Sequence, residues 1–271
     1  MQTLDRAPLR PHAPQDLIRL GPPKDGGYVL PASLVGRTTL LLAAGIKQDW
    51  SFERHFVRMG AGVRVIGIDP TVGPALFARQ IAAGLAALVR AALRGDRRAA
   101  RRQLAAVRGS VDYFVFFGLR HRHVRRFLAG RDGPDEVSLQ WLLDRAGVGR
   151  EHTVFLKMDI EGAEYGVVPD IVRLGRWING VIIEFHRVGR KARAFNEAIA
   201  QLRQHFEVVH VHGNNYGGYD QRSGFPDAVE VTLVHRSLLP GPVPPSTHDY
   251  PVAGLDFPNR PGRPDHPLRF D

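Results

Sequence analysis

The stretch Thr153-Val-Phe-Leu-Lys-Met-Asp159-Ile-Glu161-Gly-Ala-Glu164 decides the fold of this 271-residue chain. Its first part, Thr153 to Asp159, is a short apolar run typical of a strand that is buried on both faces. Three carboxylates then follow within six residues. Because side chains alternate along extended backbone, Asp159 and Glu161 can share one side. The stretch therefore predicts a buried strand whose carboxyl end is strongly acidic.

Six other segments complete the predicted sheet. Apolar, β-branched runs alternate with helical patterns along the chain, which is typical of an α/β fold. In chain order, the seven predicted strands cover residues 38–44, 63–69, 111–117, 153–159, 180–186, 206–212 and 228–235. The last two are joined without a helix, so we expect them to pair antiparallel, since a parallel pair needs a longer crossover. The prediction is a single doubly wound sheet with an antiparallel final strand.

The intervening segments have helical periodicity. Helices are predicted at 51–59, 138–146 and 191–205, with an Ala/Arg-rich pair across 75–108. Ser138 is suited to cap one helix, and Asp96, after a break at Gly95, to cap the second member of the pair.

The domain organisation follows from these elements. Residues 1–238 are predicted to be a single domain that carries an Arg-rich helical insertion at about 72–131. Residues 239–271 contain nine prolines and no periodicity, so we expect a Pro-rich tail packed on the surface.

Composition excludes several classes of protein. The chain has no cysteine, which excludes disulfide frameworks, zinc ribbons and thiol catalysis. No apolar run approaches the roughly 18 residues of a membrane-spanning helix, and the N-terminus lacks the apolar stretch of a signal peptide. We therefore expect a cytoplasmic protein without a transmembrane segment.

The positive charge is concentrated in one window. Residues 90–131 hold twelve arginines against two acids, which accounts for the net charge of +10. Such a window is typical of a solvated helix face, of a site for an anionic acceptor such as a phosphorylated glycan, or of a surface for nucleic acid or an anionic membrane. Few aromatic residues are available for base stacking. The neighbouring apolar stripe favours core packing over a membrane face; its residues are Phe77, Ile81, Leu85, Leu88 and Ala92.

Ligands of such sheets bind outside the carboxyl ends of the strands, and the turn after the first strand is acidic there. It contains Gly45, Asp49, Ser51 and Glu53 but no GxGxxG fingerprint, which disfavours a pyrophosphate ligand and a nicotinamide dehydrogenase. Asp69 ends the second strand, where a carboxylate can hold both ribose hydroxyls. An acidic turn suits a cationic or neutral nucleoside, and S-adenosylmethionine has a sulfonium and a ribose but no phosphate.

Further polar residues follow the later strands. Glu184 and His186 end the fifth strand on one face, and the sixth ends at His210 and His212, followed by two asparagines. Helix capping and buried core histidines explain any single one of these residues. The convergence of carboxylates, imidazoles and amides at one edge predicts an active site.

The same residues carry a family resemblance. The segment Lys157-Met-Asp159-Ile-Glu161-Gly-Ala-Glu164 resembles the K-x-D-I/V-E-G-x-E signature of FkbM-like S-adenosylmethionine-dependent methyltransferases. Supporting matches lie, in the order of the family, at residues 25–29, 45–53, 68–70, 183–186, 210–215 and 256–259. Residues 71–131, with the long Arg-rich helices, match no motif of the family.

The resemblance implies a Rossmann-like class I methyltransferase sheet with flanking helices, strand order 3-2-1-4-5-7-6 and an antiparallel seventh strand. It implies O-methylation of a hydroxyl on a sugar, glycan or secondary metabolite. By the same resemblance, Gly45, Asp49, Ser51 and Glu53 line the methionine side of S-adenosylmethionine, Asp69 holds its ribose, and Asp159 lies near the methyl group.

A hydroxyl acceptor needs a base, and His186 is the first candidate, oriented by Asp159, Glu161 or Glu184, with His212 second. The alternative is a divalent cation, such as Mg²⁺, bound by these carboxylates and the histidine. Two rival functions stay open. One is an RNA-binding methyltransferase that uses the Arg-rich helices, and the other is a non-catalytic protein that binds S-adenosylmethionine.

Overall fold

A computed structural model describes residues 3–12, 16–118, 120–221, 223–239, 241 and 244–270. The predicted domain and tail include some positions outside these ranges. The strands in chain order are β1 (Leu17–Leu20), β2 (Tyr28–Pro31), β3 (Leu40–Ala44), β4 (Arg64–Ile68), β5 (Arg122–Val124), β6 (Phe127–Leu128), β7 (Glu136–Val137), β8 (Val154–Met158), β9 (Ile178–His186), β10 (Phe206–Gly213), β11 (Tyr219–Asp220), β12 (Phe225–Pro226) and β13 (Ala228–His235). The α-helices are α1 (Ala32–Arg37), α2 (Ser51–Met59), α3 (Pro74–Leu93), α4 (Arg97–Gly118), α5 (Leu139–Ala146), α6 (Glu164–Arg173) and α7 (Ala192–Leu202).

Seven strands form the central sheet in the order β10-β13-β9-β8-β3-β4-β5. Strand β13 is antiparallel to both of its neighbours, whereas β9, β8, β3, β4 and β5 are parallel. Numbered along the chain, this is the predicted order 3-2-1-4-5-7-6 with an antiparallel seventh strand. The predicted α/β fold is confirmed.

Both faces of the sheet are covered, because its central strands β3 and β8 are apolar at every position except Lys157. All five residues of β3 and all five of β8 are buried. Leu40 and Leu42 belong to one core cluster, whereas Leu41 and Ala43 belong to the other, as the alternation of side chains requires. This double burial fixes the carboxyl ends of the parallel strands at one edge.

The third strand was predicted at the wrong place. Residues 111–117 lie in α4, and the strand that pairs with β4 is β5. The buried residues Val107, Ser110, Tyr113 and Phe116 recur every three residues, which is a helical period that the aromatic content of the segment concealed. The β1–β2 hairpin and α6 were also not predicted from the sequence.

The helical pair α3–α4 was predicted in type, and Asp96 does cap α4 by accepting a hydrogen bond from the Ala99 amide (2.9 Å). Among the described residues, α3 is the one helix that is long and apolar enough, by length and composition alone, to be a candidate membrane span. An 18-residue window of α3 has a mean hydropathy of 1.5, and 17% of the residues in this window are buried in the protein. Arg79 and Arg90 interrupt its apolar sequence, but the mean hydropathy remains high because most of the other residues are apolar.

Buried polar side chains of the C-terminal tail form hydrogen bonds with the rest of the domain. Asn259 is fully buried and donates hydrogen bonds to Glu230 (2.7 Å) and Asp25 (3.4 Å), while Asp256 contacts His210 (2.8 Å). These contacts join the tail to β13, β10 and the loop before β2. The domain boundary at residue 238 stays a prediction.

Replacing Asn259 by alanine should lower the free energy of unfolding by about 1–3 kcal/mol, because Glu230 then loses a buried hydrogen-bond partner. Urea denaturation measures this change. Asn196→Ala, which removes hydrogen bonds near the surface to residues 3 and 5, is the control and should cost less than about 0.5 kcal/mol. Equal losses in the two variants would show that the tail contact contributes nothing specific.

Candidate active site

The turn after β3 packs directly on the end of β8. Gly45 has φ of 77°, and its amide donates to the Ile68 carbonyl (2.9 Å). A Cβ at this position would lie 1.7 Å from the Asp159 carbonyl oxygen, so only glycine permits the contact. Gly45 therefore fixes the distance between the predicted cofactor turn and Asp159.

The carboxylate of Asp69 holds this turn from the other side. One oxygen accepts from the Lys47 amide (2.7 Å), and the other accepts from the amide and hydroxyl of Thr71 (2.8 and 2.6 Å). Asp69 is buried, with 4% exposure. Its carboxylate thus already accepts three hydrogen bonds, from two residues, at the position where the resemblance places a ribose.

The other predicted cofactor residues lie at the start of α2. Asp49 accepts from the amide and hydroxyl of Ser51 (2.9 and 2.6 Å), and both line a groove of about 840 Å³ between α2 and the α3–α4 pair. Glu53 instead points into the protein interior. Neither of its carboxylate oxygens has a hydrogen-bond partner in the described part of the chain, and burial raises the pKa of Glu53 despite the nearby charge of Lys157.

His186 lies at the centre of a cluster of four carboxylates. Its Nδ1 lies 2.9 Å from Glu164, a fully buried carboxylate that also accepts from the Gly162 amide (2.9 Å). Its Nε2 lies 3.6–3.7 Å from oxygens of three more carboxylates, which belong to Asp159, Glu161 and Glu184. The Nδ1 contact fixes the ring, and it leaves Nε2 facing the other carboxylates.

A cavity of about 440 Å³ opens in front of this cluster. The residues that line it are Asp25, Lys47, Asp159, Glu161, Glu184, His186, Arg187, Asn214, Tyr216, Gly217, Asp227 and Ala228. Five of them are acidic, so the cavity favours a cationic or neutral ligand. Lys47 places its ammonium 2.6 Å from Glu161 and 3.5 Å from Asp159, which shows that the cluster accommodates a cation.

The mutual proximity of these groups changes their protonation. Burial, together with the neighbouring charges of Asp159 and Glu230, raises the pKa of Glu184 well above its usual range. Burial also raises the pKa of Asp159, although Lys157 and Lys47 oppose this. Burial alone would lower the pKa of His186, but the hydrogen bond to Glu164 and the charge of Glu184 raise it to about 9.

His212 does not join the cavity. It is 1% exposed and lies between Glu230 (3.2 Å) and Asp265 (2.9 Å). Burial would lower its pKa, yet these two carboxylates raise the pKa of His212 to about 10. A buried, doubly paired imidazolium is not placed to accept a proton from an acceptor.

Three cavity residues also have the arrangement of metal ligands. Asp159, Glu184 and His186 each present a ligand atom, and the three atoms lie within 4.8 Å of one another. One imidazole nitrogen with two carboxylate oxygens suits Mn²⁺ or another transition metal better than Mg²⁺, which prefers oxygen ligands alone.

Sequence reasoning missed two residues that shape this site. Glu164 was recognised as part of the family signature but not as the residue that orients His186. The signal that could have identified it is a carboxylate at a helix start, two residues after a glycine. Lys47 was passed over because its role depends on Glu161, which is 114 residues away.

The sheet order and the antiparallel seventh strand are those of the Rossmann-like class I methyltransferase sheet that the resemblance implies. The sequence model of the methyltransferase FkbM domain matches residues 43–216, which is more than half of the chain. The chain belongs to the FkbM methyltransferase family. No curated protein is similar enough in sequence to match it.

Solved structures give distant likenesses only. Methyltransferase FkbM from Methylobacillus flagellatus KT is 14% identical, with 72% of this chain and 44% of that chain covered and a TM-score of 0.38. The present chain thus spans less than half of that protein. A putative O-methyltransferase from Klebsiella pneumoniae is 13% identical, with 75% and 79% covered and a TM-score of 0.34. The 23S rRNA methyltransferase ErmE is 10% identical, with 76% and 67% covered and a TM-score of 0.37.

Proposed function

We propose that this protein transfers a methyl group from S-adenosylmethionine to a hydroxyl oxygen of a neutral, hydroxyl-rich small molecule or glycan, with His186 as the general base. The observation that carries the proposal is the hydrogen bond from His186 to buried Glu164, which directs Nε2 into the acidic cavity. In the neutral imidazole Nδ1 keeps its proton for Glu164, so Nε2 has the free lone pair.

The cavity fits a cationic methyl donor on chemical grounds. One carboxylate oxygen of Asp159 has no hydrogen-bond partner among the described residues, and the ammonium of Lys47 lies 3.5 Å from the other oxygen; both observations support a site for positive charge. When bound, S-adenosylmethionine supplies a methyl group made electrophilic by its sulfonium. The turn at Gly45 and the carboxylates of Asp49 and Asp69 would hold it, and Lys47 would leave Asp159 as it enters.

The chemical step asks little of the protein beyond position and proton removal. His186 Nε2 would take the proton from the acceptor hydroxyl while the acceptor oxygen forms its bond to the methyl carbon and the bond between that carbon and the sulfonium sulfur breaks, so that neutral S-adenosylhomocysteine would be the leaving group. The imidazolium that results is stabilised by Glu164 at Nδ1. The side-chain amide of Asn214 donates a hydrogen bond to Glu184 (2.7 Å) and so occupies that carboxylate. Asp159 and Glu161 are the carboxylates that would accept hydrogen bonds from other hydroxyls of the acceptor.

The acidic lining also bears on the acceptor. A site for an anionic acceptor was one of three interpretations of the Arg-rich window, but the cavity at His186 is lined by five carboxylates and by no described residue of α3 or α4. Repulsion from these carboxylates disfavours a phosphorylated or carboxylated glycan, so we place a neutral sugar or polyol there. A cytoplasmic location stays part of the proposal.

Calorimetric titration with S-adenosylmethionine tests the cofactor site. We expect micromolar binding by the natural chain and at least tenfold weaker binding by Asp69→Ala, since each hydrogen bond to a charged group contributes about 1.5–3 kcal/mol. Asp144→Ala removes an exposed carboxylate on α5 and is the matched control, which should bind normally. Absence of binding by the natural chain would contradict the proposal. Binding without methylation of any hydroxylated acceptor would favour the non-catalytic function.

A further inference from the structure

Helix α3 exposes an apolar stripe that no part of the described chain covers. Leu85, Val89 and Leu93 recur every four residues and are 47%, 58% and 84% exposed. The face of α3 that packs on α4 is a different one, formed by Phe77, Gly84 and Ala91. The sequence predicted that a stripe running from Phe77 to Ala92 packs in the core. That prediction was only partly right, because Leu85 and Ala92 face solvent.

Arginines surround this stripe. Helices α3 and α4, with the turn that joins them, contain eight, at positions 79, 90, 94, 97, 98, 101, 102 and 108. All eight are exposed, and within the part of the chain that the structure describes none of them forms an ion pair. This segment has two acids: Asp96, in the turn, caps α4, and Asp112, in α4, pairs with Arg54. The end of the pair thus combines exposed aliphatic side chains with unneutralised guanidinium groups.

We propose that the α3–α4 pair docks on the surface of an anionic phospholipid bilayer, with Leu85, Val89 and Leu93 entering the interface. Aliphatic side chains gain free energy by leaving water for the acyl boundary. Guanidinium groups bind lipid phosphates, while their stems extend along the apolar surface. This surface is separate from the cavity at His186, so the inference stands apart from the proposed methyl transfer.

The helix lies on the membrane and does not cross it. Gln80 accepts a hydrogen bond from Ser110 (3.0 Å) and donates one to Gln48 (2.7 Å), which ties the middle of α3 to α4 and to the turn after β3. Gly84 brings the two helices close, since a Cβ there would meet Val107 at 2.6 Å. A crossing helix would lose these contacts and would bury Arg79 in the bilayer.

Two other occupants fit the surface less well. A second copy of this chain would bring two cationic helical pairs together, which repel each other. Nucleic acid would engage the arginines, but it offers nothing to three exposed aliphatic residues, and in these two helices Phe114 is the aromatic residue with substantial exposure.

Co-sedimentation of the full chain with vesicles tests the proposal. We expect binding to phosphatidylcholine vesicles that contain about one third phosphatidylglycerol, and little binding to phosphatidylcholine alone. Arg94→Gln/Arg97→Gln/Arg98→Gln should weaken partitioning on the order of 100-fold. The control triple Arg37→Gln/Arg58→Gln/Arg150→Gln removes the same charge from exposed positions elsewhere and should change partitioning far less.

The apolar contribution is tested separately. Val89→Ser/Leu93→Ser keeps every charge and alters only exposed side chains, so the chain should fold normally, yet partition roughly tenfold less. Binding unchanged in this variant would overturn the proposal, because it would indicate charge adsorption without insertion. No binding to anionic vesicles would overturn it as well, and a gel shift with a structured RNA, lost in the arginine variant, would then assign the surface to nucleic acid.

Discussion

Replacing His186 by glutamine should lower kcat for methyl transfer by about 10²–10⁴, the range by which a positioned general base accelerates such steps. Glutamine retains a similar length but cannot accept the proton from the acceptor hydroxyl. Binding of S-adenosylmethionine should change by no more than about threefold, because His186 is assigned to the acceptor and not to the cofactor. Single-turnover transfer of a radiolabelled methyl group, together with calorimetry, measures both quantities.

The pH profile distinguishes a base from a merely structural histidine. The base acts in its neutral form, and the pKa of His186 is raised to about 9. The value of kcat/KM should therefore rise with pH and level off only above about 9. Glu164→Gln removes the carboxylate that raises this pKa, so the profile should shift to lower pH while the plateau falls.

Two controls test whether these effects are specific to His186 as the base. His205→Gln changes a histidine at the opposite edge of the sheet and should leave both the rate and the profile intact. A chelator should also leave the natural enzyme active. Activity that is abolished by a chelator and restored by Mn²⁺, or a Glu164→Gln profile identical to that of the natural chain, would contradict the role of His186 as a base and support the metal site.

The fold was readable from the sequence wherever a strand is buried on both faces. Residues 40–44 and 154–158 have apolar side chains at almost every position, and their short length favours a buried strand over a buried helix. The predicted strand order came from the family resemblance, and the antiparallel final strand also followed from the short connection before Ala228. Strand β5 could not be found, because its three residues, Arg-His-Val, include two polar side chains and it pairs with one neighbour.

Position along a strand predicted the edge at which a residue lies, but not what covers it. His186 and His212 both follow or end strands at that edge, and from the sequence both are candidate bases, His186 first and His212 second. The difference is Asp265, which lies 53 residues beyond His212 in the tail and closes over it. A contact between a strand and a Pro-rich segment of no fixed periodicity leaves no local pattern in the sequence.

Gly45→Ala should abolish measurable binding of S-adenosylmethionine, with a loss of at least about 100-fold, and should also destabilise the fold. Two costs combine at this position. A residue with a Cβ at φ of 77° is strained by about 1–2 kcal/mol. In addition, the Cβ would lie 1.7 Å from the Asp159 carbonyl oxygen, so that the turn after β3 must separate from the end of β8.

Gly62→Ala separates these two costs. Gly62 has φ of 82°, but a Cβ there would meet no atom within 4 Å, so this variant carries the backbone strain alone. We expect Gly62→Ala to bind S-adenosylmethionine normally and to unfold at slightly lower urea, whereas Gly45→Ala loses binding and unfolds at much lower urea. If Gly45→Ala bound the cofactor within threefold of Gly62→Ala, the contact between the turn and Asp159 would not form the cofactor site. Retained binding would then move the methyl donor toward the groove between α2 and the α3–α4 pair, where Asp49 and Ser51 lie.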